Sequence, residues 1–134
     1  MPTTMKAILR VEVTGSGTSS ATHTVQAEAY DKIEITVPTG SPNTATVDVQ
    51  PGGADQVQLL MITASAYPMD GSGDAQLTYS MDGGDSVALD APVLLVGSGA
   101  VGLLGTVNQM VLTNESDEEI DVSIVVGRDA TPAP

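Results

Sequence analysis

The chain has 134 residues, which suits one domain and leaves little for a second. It contains no Cys, Phe or Trp and only three Tyr. That excludes disulfide frameworks, thiolate zinc sites and cysteine nucleophiles, and argues against sugar and single-strand binders that stack rings on aromatic side chains. Seventeen acids against four bases give a net charge of −13, which weighs against phosphate backbones and anionic membranes as partners.

Strand signals begin at the N-terminus. From Met5 to Val13 the odd positions are apolar and the even ones mostly polar, with Lys6, Arg10 and Glu12 among them. That alternation predicts a half-buried strand. Residues 14–20, Thr-Gly-Ser-Gly-Thr-Ser-Ser, read as a flexible loop. Ile33, Ile35 and Val37 alternate with Lys32, Glu34 and Thr36, and Pro38 ends that strand. Val47 and Val49 suggest a short strand before the turn Pro51-Gly52-Gly53. Val57 to Tyr67 is apolar on both faces and predicts a central strand.

Leu77, Tyr79 and Met81 form the next alternation, and Val87 and Leu89 the one after. Asp82-Gly83-Gly84-Asp85 between them is a hairpin turn signal. Val93–Val96, Met110–Asn114 and Ile120–Val126 complete the strands. No window holds a helical period over three turns. The predicted fold is therefore all-β: an antiparallel β-sandwich or jelly-roll-like single domain over residues 1–134, with about eight or nine short strands and no substantial helix. Segments near 1–5 and 128–134 read as extended ends. No apolar run is long enough to span a membrane, and the first residues lack the apolar stretch of a secretory signal. The protein is expected to be made and used without export.

Several motifs suggest chemistry. Gly97-Ser98-Gly99-Ala100-Val101-Gly102 follows an apolar run and fits the dinucleotide-binding glycine pattern. Its third glycine should open a crossover helix facing a pyrophosphate. The residues that follow, Leu103-Leu104-Gly105-Thr106, are too short and too poor a helix, so the segment reads as a glycine-rich loop between strands. Asp70-Gly71-Ser72-Gly73-Asp74 sets oxygens at alternate positions, with Asp82 and Asp85 a hairpin away. Calcium takes such ligands, although Ala75 and Met81 stand where an EF-hand needs Gly and Glu. Ordinary turn chemistry accounts for the same residues, so Asp70, Asp74, Asp82 and Asp85 remain calcium candidates and no cofactor is otherwise expected.

Residues 114–119, Asn-Glu-Ser-Asp-Glu-Glu, form an acidic turn and contain a glycosylation sequon, set aside because no signal peptide precedes it. His23 is the only histidine. Nothing near it resembles a nucleophile elbow or a zinc set, so no catalytic residue is expected.

The charges are unevenly spread. The four bases are Lys6, Arg10, Lys32 and Arg128, and none lies between Ile33 and Gly127, where thirteen of the seventeen acids sit. Both ends together are neutral. Lys6, Arg10, Lys32 and Arg128 are therefore candidate partner contacts, and the acidic middle suits solvent.

The stretches Leu77–Leu89 and Met110–Gly127 resemble, in texture, small virion proteins of tailed bacteriophages, in particular capsid decoration (cement) proteins. The likeness covers the C-terminal half and has no signature motif. It implies a structural protein on the outer capsid surface, made in the host cytoplasm. Its implied partners are the major capsid protein and copies of itself, with a trimer favoured. A calcium-dependent adhesion or tail-associated binding module is the alternative from another class.

Overall fold

The computed structural model describes residues 3–27, 29–49, 57–104 and 109–128. Ten strands follow one another: β1 (Thr3–Val13), β2 (Gly17–Ala27), β3 (Ala29–Val37), β4 (Thr44–Asp48), β5 (Val57–Ala64), β6 (Leu77–Met81), β7 (Val87–Ala88), β8 (Val93–Val96), β9 (Gln109–Asn114) and β10 (Ile120–Arg128). One short helix, α1 (Ser98–Val101), and a 3-10 turn (Gly102–Leu104) lie between β8 and β9.

Two four-stranded sheets form a sandwich, in the orders β3-β10-β5-β8 and β4-β9-β6-β7, and every pairing is antiparallel. From β3 onward each described strand lies in the other sheet from its predecessor, except across the β6–β7 hairpin. The period-two alternation explains the core. Ile120, Val122, Ile124 and Val126 point inward from β10, beside Leu60 and Ile62 of β5. Leu77, Tyr79 and Met81 from β6 meet Met110 and Leu112 of β9 across the ladder. Each fully buried aliphatic side chain of this set stabilises the fold by about 1.5–3 kcal/mol.

The expected all-β sandwich is thus the observed fold. Val57–Ala64 is a central strand, flanked by β10 and β8. It stops short of Tyr67, whose hydroxyl accepts the Ala64 N–H at 2.9 Å. The hairpin turn falls where it was read: Asp82 and Gly83 have φ of 51° and 76°, and the Gly84 N–H donates to the Met81 carbonyl at 2.9 Å. Positive φ at both central positions is the turn that matches strand twist.

Two local readings need correction. The supposed loop at residues 14–20 is a tight turn at 14–16, after which Gly17–Ser20 already belong to β2. The Ser 16 N–H donates to the Val13 carbonyl at 2.9 Å and closes that turn. Serine, threonine and glycine mimic a loop in composition, yet β-branched threonines suit a ladder whose two faces are both wet. The glycine-rich stretch, read as loop, contains α1 and the 3-10 turn, begun by the Val101 N–H donating to the Gly97 carbonyl at 3.1 Å. Thr3–Met5, read as an extended end, run into β1, and Arg128 closes β10. Met1–Pro2, the Pro51–Gly53 turn and the tail from Asp129 lie outside the described residues.

Candidate functional site

β1 and β2 form a separate two-stranded sheet, in unbroken register from Thr3↔Ala27 to Val13↔Gly17. The pairing puts Met5, Ala7, Leu9, Val11 and Val13 on one face with Val25, His23, Ala21 and Ser19. The other face carries Lys6, Ile8, Arg10 and Glu12. Only the root of the first face is covered: Ala7 and Val25 are buried, and a side chain at Gly127 of β10 would collide with Met5 Sδ. Leu59 of β5 lies beside the same spot. Further out the cover ends. Leu9, Val11 and Val13 are 37, 63 and 55% exposed, and Ile8 on the opposite face is 67% exposed. The alternation in β1 had predicted a half-buried strand; beyond Ala7 its apolar face is open to solvent.

The predicted contact cations are spread over this arm and the sandwich. Lys6 and Arg10 lie on the arm's polar face, and Arg10 Nη2 pairs with Glu12 Oε2 at 3.3 Å. Lys32 Nζ pairs with Glu34 Oε1 at 3.3 Å on the exposed side of β3. These surface pairs contribute little to stability. Arg128 differs, because its side chain is largely covered and its guanidinium pairs with Asp31 at the edge of the β3–β10 ladder. It is placed to hold the sandwich edge, and little of it is left for a partner.

The acids do not converge. Among the described residues no three His, Asp or Glu side chains group closely enough to hold a metal ion. Asp70 Oδ1 accepts the N–H groups of Ser72 and Asp74 at 2.8 and 3.0 Å, which folds the loop between Met69 and Ala75. Asp82 Oδ1 accepts the Gln109 N–H at 2.9 Å, while the Asp82 N–H donates to the Gln109 carbonyl at 2.8 Å. These two carboxylates finish turns and strand ends. Asp74 and Asp85 are exposed.

A shallow trough of about 540 Å³ lies on the outer side of the β3-β10-β5-β8 sheet, lined in part by Glu34, Thr36, Thr63, Ser65, Asp121 and Ser123. Thr36 Oγ1 donates to Asp121 Oδ1 at 2.6 Å, and the Asp121 N–H donates to Ser65 Oγ at 3.0 Å. Its lining has hydroxyls and two carboxylates but no histidine. His23 stands instead on the arm, exposed, opposite Ala7.

The sequon residue Asn114 is 1% exposed. Its Nδ2 donates to the carbonyls of Val37 and Glu118 at 3.2 and 2.8 Å, and its Oδ1 accepts from Ser116 N and Oγ at 2.9 and 2.6 Å. A glycan cannot reach an amide so enclosed. Asn114 is a structural plug that ties the acidic turn to the end of β3. Sequence reasoning had no signal for this role.

No helix among the described residues is long and apolar enough to cross a membrane. Compared with protein-family models, curated proteins and solved structures, the chain matches none.

Proposed function

We propose that this chain is a structural virion protein that decorates a capsid shell, bridging capsid protein subunits as a homo-oligomer, a trimer favoured, without catalysing a reaction. The observation that carries the reading is the arm: a long β-hairpin whose outer half exposes apolar residues on both faces. An isolated two-stranded hairpin is at best marginally stable in water. Such an element makes sense where another surface covers it. The sandwich behind it supplies a rigid base and an acidic exterior, which keeps crowded particles from adhering to each other or to nucleic acid. The resemblance of Leu77–Leu89 and Met110–Gly127 to capsid decoration proteins agrees with this role and selects a shell as the larger partner.

Immunogold labelling of purified virions with an antibody against this chain tests the proposal. Regular labelling over the shell is expected. Labelling confined to the tail, or none on virions from cells that express the chain, would contradict it.

A further inference from the structure

The arm and the sandwich differ in charge as well as in cover. Residues 1–27 carry Lys6, Arg10 and Glu12, a net of +1, which leaves −14 of the chain's −13 for the remainder. Two sandwiches of that charge repel each other. The arm is the part of the chain that a second sandwich does not repel.

The outer side of the β3-β10-β5-β8 sheet offers a matching surface. Register places Gly127, Leu59 and Val96 in one row, Val125, Met61 and Leu94 in the next with Lys32 at its β3 end, and Ser123 with Glu34 and Thr63 in the third. The arm's own root covers the first row, where Leu59 and Gly127 are buried. The second row stays half-buried, with Val125, Met61 and Leu94 all partly open to water. Beyond it lie the carboxylates of Glu34 and Asp121. An apolar strip, ended on β3 by Lys32 in its pair with Glu34, is thus laid out beside the seat of the arm's root. The arm's tip continues the same apolar face, with Leu9, Val11 and Val13 exposed.

We propose that Leu9, Val11 and Val13 of one copy seat on the Val125–Met61–Leu94 row of a second copy. This deepens the assembly reading, on which it rests, by naming the arm's partner. The root of the face packs at home and the tip packs on the neighbour. Lys6 and Arg10, on the arm's opposite face, point away from the seat; their charge outweighs that of Glu12, so the arm's net +1 does not oppose its approach to an acidic sandwich. Because arm and seat are different surfaces, the contact is heterologous, giving a ring where the rotation between copies closes and a filament where it does not.

Analytical ultracentrifugation of the full chain provides the test. The wild type is expected to be an oligomer at micromolar concentration. Val11→Ser with Val13→Ser removes apolar surface without changing charge and is expected to raise the dissociation constant about tenfold or more. Retained melting of the sandwich separates that loss from misfolding. A second readout uses the absence of native cysteine: Val11→Cys and Met61→Cys chains are mixed and oxidised. The expected product is the mixed disulfide, which can form only between copies. A monomeric wild type, an oligomer untouched by the serine pair, or Val11→Cys pairing only with itself would each overturn the inference. An arm-dependent oligomer that labels no shell would leave the inference standing and defeat the decoration reading.

Discussion

The arm and the sandwich are written in the same period-two code, and they end in opposite environments. In β10 the alternating residues Ile120, Val122, Ile124 and Val126 are all buried. In β1 the alternating residues Leu9, Val11 and Val13 are exposed. The difference is a second layer. β10 faces another sheet across the sandwich, whereas the outer half of β1 has only β2 beside it. Alternation therefore marks a face that wants cover and says nothing about whether the chain itself provides it.

The largest effect should come from the covered side. Ile124→Ala removes a fully buried side chain from the middle of β10 and is expected to cost about 2–5 kcal/mol of stability, read as a fall in the denaturant midpoint. Asn114→Ala is next. It strands the Val37 and Glu118 carbonyls and the Ser116 N–H, for an expected loss of about 1–3 kcal/mol. Its melting curve should show that loss even though the residue looks like a surface sequon.

Alkaline pH acts on the sandwich through Tyr79. Burial pushes its phenol above the ordinary value of 10.0. Below that pH the phenol is protonated in folded and unfolded chains alike and contributes no pH dependence. Above it the unfolded chain ionises first, so stability should fall as pH rises past about 10, and Tyr79→Leu should flatten that decline. The smallest effect belongs to the arm. Ile8→Ser, at 67% exposure, should change the melting of the sandwich by no more than about 0.5 kcal/mol. A large loss there would mean that arm and sandwich are one cooperative unit.

Much of the sandwich was legible in the sequence because local signals agreed. Alternation at 33–37, 77–81 and 120–126 met the Asp82-Gly83 turn signal, and each predicts the same architecture. β2 (Gly17–Ala27) was not legible as a strand. Its first residues, Gly17–Ser20, have no apolar member, so periodicity had nothing to count. The turn of helix at Ser98–Val101 was hidden by glycines that favour loops. The arm's exposed face was not legible: Leu9, Val11 and Val13 read in the sequence as the apolar side of a half-buried strand. Lys6 and Arg10 were identified by charge, but the exposed Leu9–Val13 face depends on what fails to pack against it. Arg128 shows the converse: a cation picked for a partner is held by Asp31, because a sheet pairing places β3 and β10 side by side.

Amide hydrogen exchange on the full chain, at concentrations below and above self-association, tests the central claim that the sandwich stands alone and the arm needs a partner. Amides of β5 and β10 should be strongly protected at both concentrations. Those of β1 beyond Ala7 should exchange rapidly when dilute and slow on association. Arm amides as protected as those of β10 in the dilute monomer would contradict the account.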